Sequence, residues 1–88
     1  MKLYEILVPA AFPLETHEYW DQEVSKMVGG LTILPRLRGK WEGTKETMIP
    51  IRVACEPHKM EEVAFFTKGY YQQQSVLYYV ISEEAYLV

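Results

Sequence analysis

Cysteine is almost absent from this chain, which has a single thiol at Cys55, so no disulfide can form within it. A lone thiol in an apolar segment is typical of a reducing compartment, and we therefore expect a cytoplasmic protein. Long apolar runs are also missing, because no segment approaches the roughly 20 apolar residues of a membrane-spanning helix. The first strand-like segment contains Glu5, which does not suit a signal peptide. These absences argue against a secreted or membrane-inserted protein.

The chain also lacks an excess of positive charge, since nine Lys and Arg face twelve Asp and Glu and the net charge is −3. Duplex nucleic acid and anionic membranes attract proteins through a concentrated basic field, so neither is expected as a partner. Apolar and aromatic residues are plentiful instead: 49% of the chain is hydrophobic, with seven tyrosines and two tryptophans. A chain of 88 residues has room for one hydrophobic core, which predicts a single domain over residues 1–88.

Hydrophobic periodicity predicts six elements in this chain. They are a strand over 3–8, a helix over 13–28, a strand over 31–41 interrupted at Pro35 and Gly39, a strand over 46–55, a helix that begins at Pro57, and a strand over 75–81. Thr16 is the expected N-cap of the first helix, and the Gly29-Gly30 pair is expected to end it. The interruption at Pro35 predicts that the second strand lies at a sheet edge.

The order strand, helix, strand, strand, helix, strand predicts an α+β fold, the ferredoxin-like β-α-β-β-α-β sandwich. We expect a four-stranded antiparallel sheet with both helices on one face. The last strand is apolar on both sides, which predicts that neither side meets water. The sheet face away from the helices would carry Met48, Pro50 and Arg52, and such a face is too apolar for a monomer to leave open. We therefore expect this protein to oligomerise through the sheet, as a homodimer or a higher oligomer.

Three short motifs resemble the signature of an uncharacterised family of small, often secreted bacterial proteins. Gly30-Leu31-Thr32, Gly39-Lys40-Trp41 and Gln73-Gln74-Ser75-Val76 match its G-L-T, G-x-W and Q-x-S-V motifs in order. The resemblance covers the chain from about residue 20 to its end, although the export signal common in that family is missing and the segment 36–38 replaces a shorter turn. It implies a fold but no activity. More loosely, the element order is similar to that of PII-type and CutA-type trimers and of dimeric α/β-barrel proteins.

Basic residues alternate along the second predicted strand. Arg36, Arg38 and Lys40 are two positions apart, so their charged groups are expected on one side of the sheet, with Trp41 next to them. Guanidinium groups suit phosphate, and an indole can stack on a nucleobase, so the pattern predicts an anion-binding strip. The alternative is that these charges protect an exposed edge strand from aggregation.

Polar residues elsewhere complete the predicted site. Glu46 and Arg52 share one face of the third strand, where they are expected either to form ion pairs between subunits or to line a shared pocket with Thr32 and Tyr4. The segment around Gln73 and Ser75 joins the second helix to the last strand, and its side chains either orient a ligand or cap that helix. The predicted ligand-binding residues are Tyr4, Thr32, Arg36, Arg38, Trp41, Glu46, Arg52, Gln73 and Ser75.

Catalytic and metal-binding constellations are not evident in the sequence. His17 and His58 each lie in the first turn of a predicted helix and have no second ligand at a spacing that zinc sites use. Cys55 is expected on the core side of its strand, where a thiol is inert. No P-loop, dinucleotide-binding or zinc-protease motif occurs. We therefore predict no catalytic residue, no metal site and no cofactor.

These observations favour a non-enzymatic homo-oligomer that binds a small anionic, nucleotide-like ligand between its subunits. Such a protein acts by sequestering its ligand, by analogy with small virus-encoded counter-defence proteins. Two alternatives remain open. One is a small cofactor-free enzyme of the dimeric α/β-barrel type, with Glu46 or His17 as its acid or base. The other is a module that binds and inhibits a partner protein through its edge strand and tyrosines.

Overall fold

A central pair of antiparallel strands organises the fold in the computed structural model, which describes residues 1–88. The elements are β1 (Lys2–Pro9), α1 (Leu14–Val28), β2 (Thr32–Ile33), β3 (Leu37–Trp41), β4 (Thr44–Cys55), α2 (Pro57–Tyr70) and β5 (Tyr78–Ser82). β4 pairs with β1 on one edge and with β2 on the other, β3 also pairs with β4, and β5 pairs with β1, so the sheet order is β2-β4-β1-β5. When β2 and β3 are counted as one interrupted strand, this is the predicted ferredoxin-like topology.

The sheet has five strands instead of the predicted four, because the second predicted strand is broken between Ile33 and Leu37. Ile33 lies opposite Ile51 and Leu37 lies opposite Met48, so four steps along this edge match only three steps along β4. The Pro50 carbonyl accepts a hydrogen bond from the Leu34 N–H at 2.9 Å. The ring nitrogen of Pro50 has no hydrogen to offer this edge, and Pro35 follows directly, so the ladder cannot continue here.

The boundaries of α1 correct one prediction and confirm another. Pro13, not Thr16, occupies the N-cap position, because the Pro13 carbonyl accepts the backbone N–H of Thr16 at 3.0 Å and Thr16 already lies in the first turn. The helix ends at Gly29, whose φ of 87° is left-handed, as the glycine pair predicts. Pro57 occupies the first turn of α2, also as predicted.

One face of the sheet forms the core with the two helices. On β1 the alternate residues Tyr4, Ile6 and Val8 are buried opposite Val53, Ile51 and Ile49 of β4. The helices cover this face with the buried residues Trp20, Val24, Met60 and Val63. Each large aliphatic side chain buried in this way contributes about 1.5–3 kcal/mol. Cys55 is part of this core, on the side that the sequence predicts.

A hydrogen-bonded chain joins the two helices inside the core. The Trp20 indole N–H donates to the Thr67 hydroxyl at 3.0 Å, and that hydroxyl donates to the Val63 carbonyl at 2.6 Å. Trp20 and Thr67 are both completely buried. The indole N–H therefore has its only acceptor on the opposite helix, and the pair sets how α1 and α2 lie against each other.

The last strand is shorter and more exposed than predicted. It spans Tyr78–Ser82 instead of 75–81, and Tyr78, Tyr79, Val80 and Ile81 are each 38–40% exposed. β5 is the end strand of the sheet and has β1 as its one neighbour, so the prediction of two buried sides is wrong for the single chain. Neither helix of the protein is long and apolar enough to cross a membrane.

Replacement of Thr67 by Val is expected to lower the free energy of unfolding by about 1–3 kcal/mol, because it leaves the buried indole N–H without an acceptor. Thr67→Ser keeps the hydroxyl and should cost no more than about 1 kcal/mol, the value of one buried methyl group. Urea unfolding of both variants measures the difference. Equal losses for Val and Ser would show that the hydroxyl does not matter.

Candidate functional site

A row of polar side chains crosses the sheet face that the helices leave open. Thr32 lies opposite Arg52, Arg52 lies opposite Glu5, and Glu5 lies opposite Tyr79. Side chains of directly opposed residues share a face, so the row runs from β2 through β4 and β1 to β5. It places Arg52 on the open face, where the sequence predicts it, and shows that Thr32 is its neighbour.

Glu5 is the centre of this row and is only 6% exposed, although it lies on the open face. Arg52 donates its Nε–H to Glu5 Oε1 at 3.0 Å, and the Tyr79 hydroxyl donates to Oε2. Both carboxylate oxygens therefore have a partner. The terminal guanidinium nitrogens of Arg52 have no acceptor in the protein, and the side chain is 40% exposed. Arg52 can thus bind a further acidic group at its free end.

Opposing effects set the pKa of the Glu5 carboxyl. Burial raises this pKa, but the hydrogen bonds from Tyr79 and Arg52, with the charge of Arg52, lower it, and the net result is a pKa below the ordinary value of 4.5. Glu5 is therefore an anion at neutral pH, and it holds the guanidinium of Arg52 against the sheet.

A second polar surface lies on the hairpin formed by β3 and β4. Arg38 is opposite Thr47, and Lys40 is directly opposite Lys45. These four residues lie on the same side of the sheet as the helices. The helices pack against β4 farther along the strand and do not cover the hairpin, so all four residues are exposed. They border an open cleft of about 730 Å³, whose other lining residues are Gly39 and Glu46. None of the three cations is in an ion pair.

Trp41 is on the opposite face of the hairpin from Arg38 and Lys40. It lies opposite Thr44, at odd spacing from both cations, and is 58% exposed. The turn between Trp41 and Thr44 has positive φ at both central residues, 50° at Glu42 and 80° at Gly43, the geometry of a tight two-residue hairpin. The expectation that the indole lies beside the basic side chains is therefore wrong, because adjacent residues in a strand point to opposite faces.

The remaining predicted site residues do not converge on one place. Tyr4 is buried on the helix-facing side and packs edge-on against Tyr78, so it cannot share a pocket with Arg52. Arg36 lies in the break between β2 and β3. Glu46 shares the open face with Arg52 but is out on the hairpin, opposite Gly39.

Gln73 and Ser75 lie in the connection from α2 to β5, as predicted. The Gln73 backbone N–H donates to the Lys68 carbonyl at 2.9 Å, and its side-chain amide donates to the Tyr71 carbonyl at 2.9 Å. This is the capping alternative, since these bonds satisfy carbonyls at the end of the helix. Ser75 borders a smaller groove of about 370 Å³ between α2 and β5, with Phe65 and Tyr78.

His17 belongs to an aromatic cluster that the sequence does not reveal. Its Nδ1 lies 2.7 Å from the Tyr71 hydroxyl and its Nε2 lies 3.3 Å from the Ala10 carbonyl. Burial raises the pKa of Tyr71 above its ordinary value, so the phenol stays a donor, and Nδ1 is then its acceptor. Both ring nitrogens are occupied, which ties α1 to β1 and α2.

The predicted set of nine lacks five side chains of the two polar surfaces, although Lys40 is part of the predicted basic strip; the five are Glu5, Lys40, Lys45, Thr47 and Tyr79. Glu5 gives one signal in the sequence, because a carboxylate between Leu3 and Leu7 interrupts an apolar strand face. Lys45 and Tyr79 give none, since their neighbours depend on strand register. No group of three or more His, Cys, Asp or Glu side chains comes together in a way that would hold a metal ion.

The fold of this chain is similar to that of the CutA proteins. The structure is similar to CutA1 from Thermus thermophilus, a divalent cation tolerance protein, with a TM-score of 0.67 and 15% identity over 96% of this chain and 86% of that chain. The periplasmic divalent cation tolerance protein CutA from Archaeoglobus fulgidus gives 0.69 and 22% identity over 98% and 86%. CutA from Pyrococcus horikoshii gives 0.69 and 14% over 99% and 88%.

Identities this low establish the fold alone. They agree with the looser of the two predicted resemblances, the CutA-type element order. No family model matches the sequence, and neither does any curated protein, so the resemblance through the three short motifs stays a prediction. The periplasmic description of one neighbour leaves the cytoplasmic location a prediction as well.

The lowered pKa of Glu5 predicts a specific loss of stability in acid. A carboxyl whose folded pKa lies below its unfolded value contributes stability above pH 4.5, and this contribution disappears as the pH falls through the folded pKa. Glu5→Gln removes the titration, so its unfolding free energy should fall less steeply below pH 4.5 than that of the wild type. Urea unfolding across the acid range measures both curves. Parallel curves would mean that Glu5 does not carry this charge interaction.

Proposed function

We propose that this protein is a non-enzymatic, self-associating binder of a small anionic ligand. The observation that supports this most strongly is the basic face of the hairpin, where Arg38, Lys40 and Lys45 border an open cleft and none of them is in an ion pair. Lysines directly opposite each other in a hairpin repel, so an anion that lies between them removes an unfavourable interaction. The concrete ligand that the sequence suggests is a nucleotide-like anion, which the protein would bind without turning it over.

The two polar surfaces have separate roles in this proposal. The sequence-based hypothesis has one pocket between subunits, lined by all nine predicted residues. Because Arg38 and Arg52 lie on opposite sides of the sheet, we assign the ligand to the hairpin and self-association to the open face. Half-buried Leu3, Leu7 and Met48 and the exposed Leu37 surround the polar row there.

A second copy is a suitable cover for this open face. It would bury apolar side chains that are partly exposed in the single chain, and it would offer acceptors to the free end of Arg52. A charged group fixed in an otherwise apolar face restricts which surfaces can pair with it, and this favours specific self-association over random contact.

The alternatives have weaker support. The histidine considered as a catalytic base, His17, has both ring nitrogens occupied and so has no nitrogen free to take a proton from a substrate. Glu46 is exposed on the hairpin and does not lie in an apolar cleft. An inhibitor module is favoured only by the outer edge of β5, which has no strand partner. The divalent cation tolerance in the names of the fold neighbours is a further candidate, and metal ions therefore belong among the ligands to be titrated.

Calorimetric titration tests the ligand. The panel contains ATP, AMP, citrate, Zn²⁺, Cu²⁺ and a neutral sugar, and we expect heat with the anions only. Arg38→Gln combined with Lys40→Gln should weaken anion binding about tenfold or more, because two charged contacts are lost. The matched control is Lys26→Gln with Lys59→Gln, which removes the same charge from helix lysines that pair with neighbouring glutamates. No heat with any anion, or heat with the metal ions alone, would contradict the proposal.

Sedimentation equilibrium tests self-association at micromolar concentration. Leu37→Glu puts a charge on the open face at an exposed position, where it leaves the core intact, and should weaken association about tenfold or more. Leu14→Glu is the control, because Leu14 is exposed at the start of α1. A wild-type protein that stays monomeric at tens of micromolar would refute this half of the proposal, whatever the titration shows.

A further inference from the structure

The arrangement of cations on the hairpin limits what kind of anion it fits. Lys40 and Lys45 face each other across the two strands, with Cβ atoms roughly 5 Å apart. Arg38 lies two residues from Lys40 on the same side, roughly 7 Å further along the strand. One compact anion can lie between the two lysines, but Arg38 then has to bend along the strand to contact it, which costs side-chain entropy. An elongated anion with several charges can contact all three groups, with the Thr47 hydroxyl beside Arg38.

The same surface has nothing that reads a nucleobase. The one exposed aromatic residue of the hairpin, Trp41, points to the other face, and the cleft has no hydrophobic lining residue. A base stacks on an aromatic ring or on a guanidinium plane, and the one guanidinium here, that of Arg38, is occupied by phosphate in this arrangement. A nucleotide bound here would therefore contribute its phosphates and leave its base in water.

We infer that the basic face of the hairpin recognises an oligophosphate chain, through Arg38, Lys40, Lys45 and Thr47, and does not read the group attached to that chain. The inference rests on the proposed function and narrows its ligand. Free oligophosphates and nucleoside triphosphates both contain this phosphate chain. Equal affinity for the two would distinguish recognition of the phosphate chain from recognition of a nucleotide.

The charges on the hairpin predict how a nearby carboxylate and the ionic strength affect binding. Glu46 borders the cleft, but its side chain lies on the other face of the hairpin, so it repels an anion there only across the sheet and its removal should tighten binding slightly. The three cations are exposed, and their attraction for the ligand is screened by salt. Binding should therefore weaken steeply between low and physiological ionic strength.

The decisive experiment compares tripolyphosphate, ATP, AMP and adenosine by calorimetry at low salt, with citrate as a compact polyanion. Tripolyphosphate and ATP should bind equally within about threefold, AMP should bind about tenfold more weakly, and adenosine should give no heat. Adenosine that binds as tightly as tripolyphosphate would overturn both this inference and the proposed function, because adenosine is uncharged. AMP that binds as tightly as tripolyphosphate would overturn this inference but not the proposed function. Citrate equal to tripolyphosphate would do the same. The absence of a binding heat with every anion would overturn both the inference and the proposed function.

Four variants locate the site. Lys45→Glu should abolish tripolyphosphate binding while the melting temperature stays the same or rises, because it gives Lys40 an opposite charge across the hairpin. Lys68→Glu makes the same charge change on α2, away from the hairpin, and should leave binding within about threefold of wild type, allowing for the screened long-range effect. Glu46→Gln should strengthen binding slightly and Trp41→Ala should not change it. Weakened binding in Trp41→Ala would show that the attached group is read and would overturn the inference.

Discussion

The antiparallel register of β1 with β4 is the constraint on which the rest of this structure depends. It aligns Lys2 with Cys55 and Pro9 with Met48, and it thereby assigns every residue of both strands to one of two faces. Tyr4, Ile6 and Val8 meet their β4 partners under the helices. The intervening residues, with Glu5 at their centre, meet theirs on the open face. A shift of one residue would exchange the faces of one strand and separate Glu5 from Arg52.

The two polar surfaces differ in whether their charged side chains are paired within the protein. On the open face Glu5 and Arg52 neutralise each other, and Tyr79 completes the carboxylate's hydrogen bonds. A half-buried pair of this kind adds little net stability, but it restricts what can pack on the face. On the hairpin the cations have no internal partner. The same strand, β4, thus carries a satisfied ion pair at one end and uncompensated charge at the other, which is why we assign recognition to the hairpin.

Local signals in the sequence predict much of this architecture. Alternation over 46–55 predicts β4 and its core face, Gly29 predicts the end of α1, and Pro57 predicts the start of α2, because each depends on backbone preferences of a few residues. The sequence shows the break at Pro35 but does not show that the hydrogen-bond ladder to β4 stops there. The ladder stops there because Pro50 lies across from it on the neighbouring strand, and such pairings exist only once the register is set.

The candidate site is likewise predicted in part by local sequence signals and in part only by the folded sheet. Sequence alone determined the order of strands and helices, the core face of β4, and the presence of a basic segment in an acidic chain, since these depend on composition and on near neighbours. Tertiary structure decided that Lys45 faces Lys40, that Trp41 turns away from both, that Tyr4 is buried, and that Tyr79 completes the environment of Glu5. These facts depend on which residues strand pairing brings opposite each other, and the free energy that selects the pairing comes from burial over the whole sheet.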